Sequence, residues 1–454
     1  MGKLFGTDGV RGMANTELTP ELAFQLGRAG AFALTKEKER KTMPKVLLGK
    51  DSRLSGDMLE AALTAGLCSI GARVYHAGVL PSPAVAYLVR RYKLDAGVMI
   101  SASHNPMADN GIKFFSSNGY KLPDAMEDEI EALIDEIQAG RDNLPRPTAE
   151  DVGTVHVSET AAEDYASYLI ETVPGLSLKG LKVALDCANG ATGEVAPIVF
   201  EKLGASIFPL NDRPNGLNIN SNCGSTHIEP LQKYVKAKAM DIGLAFDGDG
   251  DRMFAVCENG EVIDGDTILA ICGLNMHENG KLNDIVATVM SNQGLEVFCN
   301  KNSLTLHRTA VGDRYVLEKM LADNLPLGGE QSGHIIFKEH STTGDGILTG
   351  LQLLSMMVKK NRPMSELAEI METYPQVLVN AIVPNKRKPE LSANENIQNK
   401  QAEIEAEMAG EGRILVRPSG TEPLVRVMLE GRDGVKIKKW AEDLAKVIEN
   451  NLGS

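Results

Sequence analysis

Ala96-Gly-Val-Met-Ile-Ser-Ala-Ser-His-Asn-Pro106 changes character at its middle. The first five residues are apolar and read as a buried strand, whereas Ser101 to Pro106 are small or polar, so the chain must leave that strand into a loop. Open α/β sheets hold ligands beyond the carboxyl ends of their strands, and the loop lies at such an end. Ser103 is its central hydroxyl. His104 stands beside it, and Lys113 comes after Gly111, which permits a tight turn. A cationic neighbourhood for an anionic group is therefore expected at Ser103. Taken alone, the stretch reads equally well as a Ser/Asn/Pro turn.

The surrounding chain alternates helix and strand. Thr19-Pro20 supplies an N-cap and a first helical position, and Leu22, Leu26, Ala29 and Ala33 share one face. Val46-Leu-Leu-Gly49 reads as a strand, Ser55 to Ile70 as a helix and Arg73-Val-Tyr-His76 as a strand. Ser82-Pro83 begins another helix, and 123–139 closes the unit. This order implies a mixed sheet covered on both faces. The Pro-rich segment 141–148 marks a boundary, and the cycle restarts with Leu181-Lys-Val-Ala-Leu-Asp186 and a helix opened by Asn189-Gly-Ala-Thr-Gly193. Leu203-Gly-Ala-Ser-Ile-Phe208 echoes Ile70-Gly-Ala-Arg-Val-Tyr75, and a weaker echo begins at Ile285. Three similar α/β/α mixed-sheet domains are expected, at 1–152, 153–255 and 256–372. A smaller α+β domain at 373–454 should contain two strands flanking a loop, then an amphipathic helix carrying Trp440 and Leu444.

The formal net charge of -14 over 454 residues opposes attraction to nucleic acid backbones or anionic membranes. An anionic small molecule then needs local positive charge. The six cysteines lack CxxC spacing and predict a reducing, cytoplasmic setting; no run of about 18 apolar residues predicts a membrane span.

Ile242-Gly-Leu-Ala-Phe-Asp-Gly-Asp-Gly-Asp-Arg252 is the most specific segment. Glycines between Asp247, Asp249 and Asp251 let three carboxylates turn to one point, which suits a hard divalent cation. A calcium EF-hand loop is disfavoured, because Arg252 occupies the position that needs glycine and both flanks read as strands. Three carboxylates exceed one divalent charge, and a phosphate on Ser103 would add about two more. Metal, Arg252, His104 and Lys113 together meet that load, the arrangement phosphoryl transfer requires.

Three further loops obey the same logic. Phe5-Gly-Thr-Asp-Gly-Val-Arg-Gly12 carries one cation, Arg11, in a Gly-rich loop. Gly328-Gly-Glu-Gln-Ser-Gly-His334 offers Glu330, Ser332 and His334 to sugar hydroxyls, and Asp313 upstream is either a ligand wall or a helix cap. Arg417-Pro-Ser-Gly-Thr-Glu-Pro-Leu-Val-Arg426 combines two arginines, the Ser419 and Thr421 hydroxyls and freed amides around Gly420 into a nest for a bound phosphate. No Walker pattern accompanies it, which argues against an ATP-dependent kinase.

In this order and across nearly the whole chain, Ser101-Ala-Ser-His-Asn-Pro106, Asp247-Gly-Asp-Gly-Asp-Arg252, Gly329-Glu-Gln-Ser-Gly-His334 and Arg417-Pro-Ser-Gly-Thr-Glu-Pro423 resemble the α-D-phosphohexomutase superfamily. The opening Phe5–Gly12 motif and Gln331 look like its bacterial phosphoglucosamine branch rather than its phosphomannomutase or phosphoglucomutase branches. The resemblance implies a heart-shaped, four-domain molecule with a central cleft, and interconversion of glucosamine 6-phosphate and glucosamine 1-phosphate through a phosphoserine. It implies Ser103 as the phosphorylated nucleophile, one Mg2+ on Ser103, Asp247, Asp249 and Asp251, and glucosamine 1,6-bisphosphate as intermediate. It further implies sugar contacts from Glu330 and Ser332, and phosphate contacts from Arg417, Ser419, Gly420, Thr421 and Arg426. Arg11, His104, Lys113, Arg252 and His334 complete the expected catalytic set, with Lys113 or His334 as the group that titrates. A cytoplasmic homodimer feeding UDP-N-acetylglucosamine and peptidoglycan precursors is the expected context. A metal-dependent sugar phosphatase is the rival reading.

Overall fold

In the computed structural model, residues 4–6, 8–35, 43–419 and 422–453 are described. The first sheet contains β1 (Phe5–Gly6), β2 (Gly9–Met13), β3 (Lys45–Lys50), β4 (Arg73–Val79), β5 (Ala96–Ile100), β6 (Asp109–Ser116) and β7 (Thr154–Val157). The second contains β8 (Lys182–Asp186), β9 (Ser206–Leu210), β10 (Ile242–Phe246), β11 (Met253–Cys257) and β12 (Val262–Ile263). The third contains β13 (Asp284–Thr288), β14 (Thr305–Thr309), β15 (Leu327–Gly329) and β16 (Ile335–Phe337). A last sheet of β17 (Gln376–Ile382), β18 (Gly412–Pro418) and β19 (Leu424–Gly431) is antiparallel, with β19 in the middle.

One topology recurs in the first three sheets. β4-β3-β5-β6, β9-β8-β10-β11 and β14-β13-β15-β16 each run as three parallel strands with the first in the middle, followed by an antiparallel fourth. The expected repeat is thus a shared strand order. Three turns, at 101–108, 247–252 and 330–334, join the third strand to the fourth in successive repeats. Equivalent positions in the fold therefore supply the Ser103, aspartate and Glu330 loops.

Local chemistry places the elements. The Thr19 hydroxyl accepts the Leu22 N–H at 3.2 Å, Pro20 opens the helix Pro20–Thr35, and Leu26, Ala29 and Ala33 are buried. β5 and β10 are buried along their whole length, which accounts for their unbroken apolar runs. One apolar cluster continues from Leu47, Met99 and Phe115 of the first domain through Leu185 and Phe246 to Ile285 and Leu327 of the third. The last domain has a separate core, including Ala381, Ile397, Val427 and Leu444.

Several expectations are corrected. The opening motif is a hairpin, in which β1 pairs with β2 and β2 with β6. Gly111 lies within β6 rather than in a turn; a Cβ there would stand 2.5 Å from the Ser101 carbonyl, so close backbone approach is what requires glycine. Strand β7 pairs with β4 and extends the first sheet past residue 152, and β11 and β12 extend the second past 255. The last domain adds strand β17 and the helix Glu395–Met408 to the expected elements, since β17 alternates partly buried and exposed residues and carries no turn signal. No helix among the described residues is long and apolar enough to cross a membrane.

Candidate active site

Ser103 is 1% exposed, and its Oγ donates to Asp247 Oδ2 at 2.5 Å across 144 positions of sequence. The serine adopts φ +53°, a left-handed conformation uncommon outside glycine and asparagine. Its surroundings impose it. Arg53 Nη2 and Asn220 Nδ2 each donate to the Ser103 carbonyl at 2.9 Å, and both also bond the Asn105 carbonyl. Arg53 further reaches the Pro106 and Asp109 carbonyls, while its Nε donates to Asp51 Oδ2 at 2.9 Å. Asp51 also accepts the Ser101 hydroxyl at 2.6 Å. A fully buried ion pair thus pins the serine loop by its backbone. The opposing loop must come close: a Cβ on Gly248 would stand 2.6 Å from the Ser103 carbonyl oxygen.

Asp247, Asp249 and Asp251 are all buried, with one oxygen of each within 4.8 Å of the others. Burial and the charges of Asp251 and Asp249 push the Asp247 carboxyl well above the usual range. Oδ1 of Asp249 and Oδ1 of Asp251 have no hydrogen-bond partner although both are buried. Buried acceptors left unpaired are costly. Two orphaned carboxylate oxygens beside a serine hydroxyl fit a hard divalent cation with oxygen ligands.

Cations enclose this cluster. Lys113, on β6, places Nζ 2.8 Å from Asp8 Oδ2 and 2.8 Å from Asp249 Oδ2. Burial favours its neutral amine, but Asp249, Asp8 and Asp251 outweigh that and push the ammonium pKa up. Lys113 is therefore an ammonium at pH 7, the form that can donate a proton. His104 departs from expectation. Burial, then Arg252 and Arg11, lower it to about 4, so it is a neutral ring at pH 7, with Nδ1 3.4 Å from Ser103 Oγ. The cationic share falls to Arg11, which pairs with Asp8, and to Arg252, whose Nε is 3.9 Å from Asp251 Oδ1.

The third loop docks on the second domain through the Met253 N–H, which donates to the Gly333 carbonyl at 3.1 Å. Glu330 is 8% exposed and Oε1 accepts the Gly312 N–H at 3.3 Å; the buried Ser332 hydroxyl has no partner. His334 Nδ1 is 3.6 Å from Asp251 Oδ2, and Nε2 accepts the Gly344 N–H at 2.9 Å, which leaves the proton of a neutral ring on Nδ1. Asp313 caps nothing beyond its neighbour's amide and instead faces Lys121 at 2.5 Å.

In the last domain Arg417 and Arg426 are directly opposed across β18 and β19. Burial and the adjacent Arg426 lower the Arg417 pKa. Ser419 Oγ accepts the Glu422 N–H at 3.2 Å, and Lys388 Nζ bonds the Ser419 and Glu422 carbonyls. Gly420 and Thr421 lie outside the described residues. Among the described residues, no hydrogen bond or ion pair joins Arg417, Ser419 or Arg426 to the Ser103 centre.

Asp8, Arg53, Lys121 and Asn220 escaped the sequence reading. Arg53 had a detectable signal, since Asp51-Ser-Arg53 leaves the carboxyl end of buried strand β3. Asn220 lies in a polar segment with no such marker.

Four models of the family described as phosphoglucomutase/phosphomannomutase match the chain: domain I at 2–141, domain II at 163–260, domain III at 264–374 and the C-terminal domain at 378–447. The chain is 56% identical over 454 residues to a phosphoglucosamine mutase of Ruminiclostridium cellulolyticum, covering 100% of both chains. It is 56% identical over 455 residues to the phosphoglucosamine mutase of Acetivibrio thermocellus, again covering 100% of both. A solved phosphoglucomutase/phosphomannomutase family protein from Burkholderia thailandensis superimposes with a TM-score of 0.82 at 22% identity, over 99% of this chain and 97% of that one.

Proposed function

We propose that the chain, which belongs to the phosphoglucomutase/phosphomannomutase family, is an isomerase that interconverts glucosamine 6-phosphate and glucosamine 1-phosphate. The observation that carries this reading is the contact of Ser103 Oγ with Asp247, beside two buried carboxylate oxygens that lack hydrogen-bond partners.

Phosphorylated Ser103 gives its phosphoryl group to the free hydroxyl of the sugar phosphate. The P–O bond to Oγ breaks and one to the sugar oxygen forms. Lys113, an ammonium at rest, donates a proton to the departing Oγ, and the neutral amine that this leaves takes the proton released by the sugar hydroxyl. Glucosamine 1,6-bisphosphate then turns within the cleft, and its other phosphate returns to Ser103. Ser103, Asp247, Asp249 and Asp251 would hold one Mg2+, which when bound neutralises charge on the transferring group. Glu330 and Ser332 orient the sugar hydroxyls, and Arg11 and Arg252 balance anionic charge at the centre. His334, both ring nitrogens of which are engaged, orients Asp251.

Arg417, Ser419, Gly420, Thr421 and Arg426 hold the phosphate that is not reacting. The last domain brings them in by pivoting near 372–375, where Asn292 exchanges two 2.9 Å hydrogen bonds with the Tyr374 backbone. A separate core joined through polar contacts suits such a movement. Four domains are proposed, with the first ending after β7 and the second after β12. A cytoplasmic homodimer serving UDP-N-acetylglucosamine and peptidoglycan precursor synthesis is the proposed setting; the six free thiols suit a reducing compartment.

Incubation with glucosamine 6-phosphate and Mg2+ should yield glucosamine 1-phosphate without inorganic phosphate. Release of inorganic phosphate would establish the phosphatase instead, and faster turnover of glucose or mannose phosphates would establish a phosphoglucomutase or phosphomannomutase. Lys113→Met should lower kcat by about 10^2 to 10^4-fold in the same assay. Arg417→Gln should raise KM by roughly tenfold or more, because a charge-assisted hydrogen bond to phosphate contributes about 1.5–3 kcal/mol.

A further inference from the structure

Six side chains from three domains close a ring around the back of the centre. Lys113 Nζ lies 2.8 Å from Asp8 Oδ2 and 3.9 Å from Asp251 Oδ2. Asp8 Oδ1 binds Lys121, whose Nζ reaches Asp313 Oδ2 at 2.5 Å. Asp313 Oδ2 and Asp251 Oδ2 then flank His334, each at 3.6 Å, one on Nε2 and one on Nδ1. Asp8, Lys113 and Lys121 come from the first domain, Asp251 from the second, and Asp313 and His334 from the third. Lys121 is the only cation between the carboxylates of Asp8 and Asp313 in this ring. Were it absent, two acidic groups from different domains would face each other, and like charges in a partly buried setting repel.

We propose that Lys121 is a positioning residue for the phosphoryl transfer: by clamping Asp8 to Asp313 it fixes the first domain against the third and thereby sets where Lys113 and His334 stand. The inference rests on the mutase reading above. Among the described residues, the ion pairs of Lys121 are with Asp8 and Asp313, and neither is a metal-site carboxylate. Proximity catalysis is sensitive to such placement, since an error of about 1 Å can cost roughly 10^2-fold.

Lys121 borders a cavity of about 180 Å³ whose walls include Phe5, Phe114, Leu122 and Ile336, so a methionine can pack there without collapsing the fold. Lys121→Met should therefore lower kcat by about 10^2-fold while KM stays within about threefold. Lys121→Arg should recover most of the rate. Adding Asp313→Asn to Lys121→Met should recover part of it, because the repelling carboxylate is gone. A Lys121→Met kcat within twofold of wild type would overturn the clamp, as would a double variant no faster than the single one or an equal loss in Lys121→Arg. A wild-type protein that turns over no sugar phosphate sinks the mutase reading instead, so the two failures are told apart.

Discussion

Replacing Ser103 by alanine is expected to abolish turnover, by about 10^4-fold or more, while leaving the fold intact. The buried Ser82 hydroxyl also donates to the cluster, at Asp249 Oδ2, but it begins the helix Ser82–Arg91, and that helix holds it in place. The fold should survive because the loop is held by its backbone. Arg53 and Asn220 bond the Ser103 and Asn105 carbonyls, and neither contact involves Oγ. Alanine retains the Cβ, so the strain of φ +53° is unchanged. The Oγ bond to Asp247 is lost, at a cost of about 1–3 kcal/mol. Circular dichroism should thus match wild type, and mass analysis should find a phosphoryl group on the wild-type Ser103 peptide and none on the variant. A variant with appreciable mutase rate would refute the assignment of the nucleophile.

The reason Ser103 could be singled out in the sequence also explains what could not. A buried strand that ends at a loop leaves a local mark, and β5 and β10 carry it as unbroken apolar runs. Glycines alternating with Asp247, Asp249 and Asp251 are local too. The protonation of His104 and Lys113 is not. His104 is neutral because Arg252 and Arg11, 148 and 93 positions away, add to its burial, and Lys113 is held charged by carboxylates from two distant segments. A residue's neighbours in sequence say nothing about such partners. Arg53 lies between these cases. It occupies a strand end like those of the recognised loops, yet it binds only carbonyls and a buried aspartate, and a lone arginine after a short strand reads as solvated surface. The position of β7 failed for a different reason: a fully exposed four-residue strand beyond a Pro-rich segment has no apolar face to announce its sheet.

Asp247→Asn should separate stability from activity. Three carboxylates with oxygens within 4.8 Å of one another are buried together, and two of their oxygens lack a hydrogen-bond partner. Without a cation that arrangement is unfavourable, because desolvation and like-charge repulsion act in the same direction. Removing one charge relieves it, so in chelator the variant should unfold at a higher temperature than wild type, by the equivalent of about 0.5–2 kcal/mol. Added Mg2+ should reverse the order. At a hundred times its Kd an ion that binds only the folded state stabilises by about 2.7 kcal/mol, which wild type should gain and the variant should largely forgo. The mutase rate of the variant should fall by about 10^2 to 10^3-fold, the loss expected when one electrostatic stabiliser is taken from a water-excluded site. Chelation should arrest wild type to a similar degree. The two effects have one origin: the charge cluster that destabilises the empty protein is what grips the cation and opposes the charge of the phosphoryl group. Wild-type turnover that persists in chelator, together with an Asp247→Asn protein no more stable than wild type, would show that the three aspartates serve the fold rather than a metal.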